Sequence, residues 1–81
     1  MPTNTDFKLI REKQLDKDTT LKVTKNLMSG RIFVEFKNME WKILLQKNFQ
    51  DSYDGKLKSE NFAKSIKNTQ QLLEYFGIKK V

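Results

Sequence analysis

The alternation of apolar and polar residues between Gly30 and Gln46 constrains the fold of this chain more than any other feature. Two alternating runs flank Asn38 and Met39, and this pattern predicts a β-hairpin whose turn lies at those two residues. Cross-strand partners share a face of the sheet, so one face of this hairpin is wholly apolar. That face carries Ile32, Val34, Phe36, Trp41, Ile43 and Leu45. A slip of one residue would turn the whole set into water, so the sequence specifies which face is buried.

The opposite face of the predicted hairpin is basic and partly aromatic. It carries Arg31, Phe33, Lys37, Lys42 and Gln46, with Glu35 opposite Lys42 and Glu40 opposite Lys37. Such pairs would neutralise part of the positive charge. Two roles are open for Phe33, namely stacking on a ligand and cross-strand contact with Leu44. For Trp41 a core anchor is favoured over contact with a ligand from the hairpin tip.

Two further strands are predicted before the hairpin. Residues 6–15 alternate as in an edge strand, although their apolar spacing also leaves a helix open. Residues 16–20 are typical of a polar turn, and residues 21–25 form a strand. The turn at 26–30 then leads into the hairpin, with Gly30 at a position that needs a positive φ or a close approach.

After the hairpin the sequence predicts one amphipathic helix. Asp54-Gly55 indicates a turn, and a short extra strand over 56–58 is an alternative for the next few residues. Ser59 is a good N-cap and Gly77 a good helix end. The apolar stripe of this helix comprises Phe62, Ile66, Thr69, Leu73 and Phe76, widened by Ala63 and Leu72. A stripe broader than one sheet face requires favours a homodimer through this helix.

The predicted architecture is therefore α+β, with a four-stranded antiparallel β-meander followed by one C-terminal amphipathic helix. The 81 residues suffice for a single domain, 1–81, in which residues 1–5 are expected to be flexible. The helix would cover the apolar face of the sheet and leave the basic face free.

The composition argues against several classes of function. The chain has no cysteine and no histidine, which removes thiolate and imidazole chemistry, and its carboxylates are scattered. We therefore expect no enzyme, no metal or other cofactor and no small-molecule substrate. No apolar run approaches the ~20 residues of a membrane-spanning helix. The N-terminal residues also lack the apolar centre of a secretory signal. We expect an intracellular protein, in the cytoplasm or nucleoid or, for a phage protein, in the host cytoplasm, with no membrane partner.

The charge of the chain points to a polyanionic partner. The formal net charge is +6, from 16 Lys and Arg against 10 Asp and Glu. Between residues 22 and 47 the only acids are Glu35 and Glu40, against Lys22, Lys25, Arg31, Lys37, Lys42 and Lys47. A basic excess on one sheet face is typical of nucleic-acid binding. Lysine-rich solubility is the plain alternative.

Basic residues interleaved with aromatic ones predict a non-catalytic protein that binds single-stranded nucleic acid. Cations track the phosphates in such proteins, and aromatic rings stack on the bases. The candidate binding residues are Lys22, Lys25, Arg31, Phe33, Lys37, Trp41 and Lys42. RNA is an alternative that composition does not separate from DNA. A different class is also open: a small protein-binding module or inhibitor whose basic surface docks an acidic protein.

Residues 21–41, LKVTKNLMSGRIFVEFKNMEW, resemble the central strands of the positive cofactor four family of single-stranded-DNA-binding transcriptional coactivators. Lys25 is similar to the first basic residue of that family, residues 27–31 to its basic glycine turn and Trp41 to its closing tryptophan. The turn aromatic of the family is aliphatic here, and residues 48–55 are an insertion. The Whirly and Pur-alpha families are similar at the level of fold. The resemblance implies a homodimer with helices at the interface and strands on DNA, acting in transcription, replication or recombination.

Overall fold

A computed structural model describes residues 6–78 of the chain and contains four strands followed by two helices. The elements are β1 (Phe7–Gln14), β2 (Thr19–Asn26), β3 (Ile32–Asn38), β4 (Ile43–Phe49), α1 (Tyr53–Ser65) and α2 (Thr69–Tyr75). The strands form one antiparallel sheet in the order β1-β2-β3-β4. The predicted α+β class and meander are confirmed, and the first segment is a strand rather than a helix. The predicted flexible residues 1–5 lie outside the described part of the chain.

The apolar face predicted for the central strands forms the core. Side chains of β2 and β3 that point to the helices are buried, among them Leu21, Val34 and Phe36. The helices contribute Ala63, Ile66 and Leu72 to the same buried cluster. Burying one large apolar side chain contributes about 1.5–3 kcal/mol, so the alternation of the strands decides which face the helices cover.

The predicted pairing of β3 with β4 is wrong by four residues, although the faces are right. Leu45 rather than Trp41 lies opposite Phe36, and Ile43 lies opposite Asn38. The turn is therefore a loop over residues 39–42 instead of the two residues 38 and 39. Because the shift is an even number of residues, Ile43 and Leu45 still point to the core. Trp41 leaves the sheet and is 38% exposed in the loop.

Hydrogen bonds of the loop explain why it is longer than predicted. Asn38 stays in β3 with its side chain buried, and its Oδ1 accepts a hydrogen bond of 2.6 Å from the backbone N–H of Trp41. The backbone N–H of Met39 donates to the carbonyl of Asp18 in the β1–β2 turn, at 3.0 Å. Lys42 closes the loop with a φ of 54°, a left-handed conformation that few non-glycine residues adopt.

The single predicted helix from Ser59 is wrong, because two shorter helices occupy this region. Ser52 caps α1 instead, since its Oγ accepts a hydrogen bond of 3.1 Å from the backbone N–H of Gly55. Ser59 lies inside α1, where its hydroxyl donates to the carbonyl of Lys56 at 2.7 Å. The predicted turn at residues 54–55 and the strand over 56–58 are therefore also wrong.

The break between the helices falls at Ile66, which is extended, and Asn68 caps α2 by accepting from the backbone N–H of Gln71. Gly77 ends α2 with a φ of 73°, as predicted. The backbone N–H of Gly77 donates to the carbonyl of Glu74, and the backbone N–H of Ile78 donates to the carbonyl of Leu73. These are the two hydrogen bonds of a Schellman motif.

The change of direction at Ile66 lets both helices bury most of the predicted apolar stripe inside one chain. Ile66, Thr69, Leu72 and Leu73 are all buried, whereas Phe76 is 44% exposed. The breadth of the apolar stripe is thus explained without a partner, and the homodimer through the C-terminal helix stays a prediction.

A buried hydrogen-bond network joins the β1–β2 turn, the end of β3 and the N-terminus of α2. Thr69 donates its backbone N–H to Asp16 Oδ2 at 2.6 Å and its hydroxyl to Asp16 Oδ1 at 2.8 Å. Since that hydroxyl has one proton, Thr19 must be the donor in its 2.6 Å contact with Thr69. Asn38 Nδ2 in turn donates to Thr19 Oγ1 at 2.8 Å. Among the described residues, every buried side-chain nitrogen and oxygen has a partner.

The network also changes the pKa of the Asp16 carboxyl. Burial by itself would raise this pKa, but the hydrogen bonds from Thr69 and from the backbone N–H groups of Asp18 and Thr19 outweigh it. The net effect is a pKa below the ordinary value of 3.8. Folding therefore favours the ionised form of Asp16. This carboxylate stabilises the folded state at pH values above its pKa in the unfolded chain, and the stabilisation is lost as the pH falls through its lower pKa in the folded state.

Replacing Asp16→Asn should lower the free energy of unfolding at neutral pH by about 1–3 kcal/mol, because charge-assisted hydrogen bonds are lost. It should also flatten the decline of stability between about pH 5 and 2. Urea unfolding at a series of pH values measures both effects. Asp18→Asn is the matched control, since Asp18 takes part through its backbone. Equal pH dependence of wild type and Asp16→Asn would contradict the assignment.

A second prediction concerns Gly55, which is buried in the first turn of α1. A Cβ at this position would lie 1.8 Å from the backbone oxygen of Gln50. Helix propensity alone predicts that Gly55→Ala stabilises the protein by about 1 kcal/mol. The clash predicts the opposite sign, a loss of about 1–3 kcal/mol or more in urea unfolding. Lys58→Ala, at an exposed position of the same helix, should change little.

Candidate nucleic-acid interface

The face of the sheet turned away from the helices, here called the open face, contains the side chains that alternate with the buried ones. It is formed by Phe7, Leu9, Glu12 and Gln14 of β1, Thr20, Lys22 and Thr24 of β2, Phe33, Glu35 and Lys37 of β3, and Leu44, Gln46 and Asn48 of β4. No described helix covers it, because both helices contribute their buried residues to the other face.

The charges of the open face alternate rather than accumulate. Lys22 lies opposite Glu12 on β1 and opposite Glu35 on β3. The predicted cross-strand positions, Glu35 opposite Lys42 and Glu40 opposite Lys37, are wrong, because Glu40 and Lys42 belong to the β3–β4 loop. Gln46 instead donates a hydrogen bond of 3.2 Å to Glu35. The centre of the face is thus close to neutral, and the predicted basic face is less basic than its sequence suggested.

Two aromatic rings lie at one end of the open face. The rings of Phe7 and Phe33 meet edge to face, with centroids 6.1 Å apart and an interplanar angle of 70°. Phe7 is 51% exposed and Phe33 is half-buried. Asn48 and not Leu44 lies opposite Phe33, so the predicted contact of Phe33 with Leu44 is wrong. Phe7 was not among the predicted site residues, although the alternation of residues 6–15 could have placed it on this face.

A guanidinium group is fixed beside this aromatic pair. Arg31 Nη1 donates a hydrogen bond of 3.0 Å to Asn48 Oδ1, and Asn48 is the cross-strand neighbour of Phe33. Arg31 is otherwise exposed, which leaves donors of its planar fork available to an anion. Lys22 and Lys37 are exposed further along the same face.

Three predicted site residues lie elsewhere. Lys25 points to the helix side of the sheet, where its Nζ is 2.5 Å from Asp51 Oδ2. The hydrogen bond from Lys25 is the main cause that lowers the pKa of Asp51 below its usual range. Trp41 and Lys42 lie in the β3–β4 loop, at the opposite end of β3 from Arg31. Arg31, Phe33, Lys22 and Lys37 are thus the predicted residues that share one surface.

Comparisons with known proteins do not extend this description. No family model, no curated protein and no solved structure matches the chain. The resemblance to the positive cofactor four family therefore stays a prediction.

Within residues 6–78, no helix is both long enough and apolar enough to cross a membrane. The same residues contain no group of three or more acidic, histidine or cysteine side chains placed to hold a metal ion.

Proposed function

We propose that the protein is a non-catalytic single-stranded-DNA-binding protein and that the open face is its binding platform. The observation that carries the proposal is the Phe7–Phe33 pair on a sheet face that no described helix covers. Leaving an aromatic ring half in water forgoes about 25 cal/mol for each Å² of apolar surface that burial would remove. Stacking of a base on these rings would recover that free energy.

The polar and charged groups around the Phe7–Phe33 pair can contact the phosphate and the base edges of a nucleotide. Arg31 lies beside Phe33 and can hold a phosphate with two parallel hydrogen bonds. Gln46 and Asn48 present amides that can bond base edges, and Lys22 and Lys37 can approach further phosphates along the strand. Bases are free to stack on a flat protein surface only when they are unpaired, which favours a single strand over a duplex. Binding of this kind serves transcription, replication or recombination.

The near-neutral centre of the open face limits the electrostatic part of the affinity. Three cations on the platform, Lys22, Arg31 and Lys37, would give a log–log salt slope of roughly −2 for single strands. Stacking then supplies the larger share, at about 1–3 kcal/mol for each base.

Removal of either ring should weaken binding of a fluorescent oligo-dT measured by anisotropy. We expect Phe7→Ala and Phe33→Ala each to raise the Kd roughly fivefold to a hundredfold, because each removes a stacking surface. Leu44→Ala is the matched control, since Leu44 is an apolar residue on the same face, 60% exposed and outside the aromatic pair. An equal loss in all three variants, or in none, would contradict the proposal.

Charge reversal in the same titration tests the position of the phosphates. Arg31→Glu should weaken binding and make the salt slope shallower by about 0.7, whereas Lys42→Glu, in the β3–β4 loop, should do neither. Duplex DNA should bind more weakly than oligo-dT at the same salt concentration. Tighter binding of oligo-rU than of oligo-dT would reassign the platform to RNA.

A further inference from the structure

The helices cover only part of the sheet, and β1 is left outside them. α1 lies mainly against β3 and β4, whereas all eight residues of β1 are exposed. A groove with a volume of about 540 Å³ separates β1 from α1 on the helix side of the sheet. Its apolar floor includes Ile10, Val23 and Ile32. This groove is on the other side of the sheet from the open face.

Three lysines and one carboxylate line one end of the groove. Lys8 lies directly opposite Lys25 across β1 and β2, and like charges in that position repel each other. Asp51 is 2.5 Å from Lys25 Nζ and 3.7 Å from Lys56 Nζ. Asp51 is thus shared by Lys25 and Lys56, and together with Lys8 the cluster carries two more positive charges than negative ones.

The rest of the groove is apolar or electrically balanced. Arg11 and Glu60 face each other across it at 3.5 Å. The pairing of β1 with β2 is irregular between Leu9 and Arg11, and this bulge places Ile10 in the groove with 51% of its surface exposed. An anion that carries an apolar group could therefore place its charge at the lysine cluster and its apolar group on Ile10.

We propose that this groove binds an extended acidic peptide segment of a partner protein. A carboxylate of the peptide lies between Lys8 and Lys25, and an apolar side chain of the peptide covers Ile10. The groove runs beside an exposed edge strand, and residues 8–11 span room for three or four extended residues at ~3.3 Å each. An extended chain therefore suits it better than a compact ligand. The proposal does not depend on DNA binding by the open face.

The test uses a fluorescent, capped peptide of about eight residues that alternates valine and aspartate, the period of an extended strand. A peptide with asparagine in place of aspartate is the neutral control. Anisotropy should show binding of the acidic peptide and at least tenfold weaker binding of the neutral one. Lys8→Glu and Ile10→Ser should each weaken binding of the acidic peptide about tenfold.

Lys13→Glu is the matched control variant. Lys13 is on the same strand and the same face as Lys8, opposite Leu21, but does not line the groove. It should leave the Kd within a factor of about two. Lys8→Glu should also raise the urea midpoint, because it converts a like-charged cross-strand pair into an opposite pair. Lys8→Gln repeats the binding test without a new charge.

Several outcomes would overturn the proposal. They are equal binding of the two peptides, equal loss in Lys8→Glu and Lys13→Glu, or no binding up to about 1 mM peptide. Displacement of the peptide by excess oligo-dT would also overturn it, because the two surfaces lie on opposite sides of the sheet. Failure of the chain to bind oligo-dT leaves the peptide experiment intact, so the two proposals fail separately.

Discussion

The hydrogen bonds between Asp16 and Thr69 join the sheet to α2 and anchor the network that sets the length of the β3–β4 loop. They bring the β1–β2 turn to the N-terminus of α2, across more than fifty positions of the chain. Thr19 and Asn38 occupy core-facing positions of the sheet, where an unpaired polar group would cost about 1–3 kcal/mol. Asp16 and Thr69 supply hydrogen-bond partners for Thr19 and Asn38. Polar side chains can therefore form a layer at this end of the sheet. That layer fixes Asn38 inside β3 and so sets the length of the loop that follows.

The alternation of residues predicted the faces of the sheet but not its register. Ile32, Val34 and Phe36 alternate strictly, so the buried face could be read from the sequence. The register depends on Asn38, whose buried side chain bonds Thr19 and the loop. The alternation of apolar and polar residues along a strand does not reveal such a contact. The helices show the same limit. Ser52 and Ser59 are both acceptable caps by residue type, and the close approach of Gly55 to Gln50 beside the Ser52 cap cannot be read from the sequence.

The candidate site was predictable to a similar extent. Alternation predicts that Lys22, Phe33 and Lys37 point away from the core, and the pairing of β2 with β3 places them on one face. The charge of that face could not be predicted, because it depends on the register in which neighbouring strands pair. The partners of Lys22 are Glu12 and Glu35, and both follow from the register of the sheet. Phe7 meets Phe33 across β2, because β2 pairs with β1 on one side and with β3 on the other.

The position of the helices explains why the chain has two surfaces to consider. Three residues separate the end of β4 from the start of α1, so α1 folds back over β4 and β3. The helix therefore leaves both sides of β1 uncovered. One side of β1 adds an aromatic ring to the open face, and the other forms a wall of the basic groove. Binding at the open face can be measured by titrating oligo-dT into ¹⁵N-labelled protein. If the DNA binds there, the amide resonances of Phe33, Arg31 and Asn48 shift while those of Lys56 and Glu60 do not. Shifts confined to α1 and α2, or no shifts at all, would contradict binding at the open face.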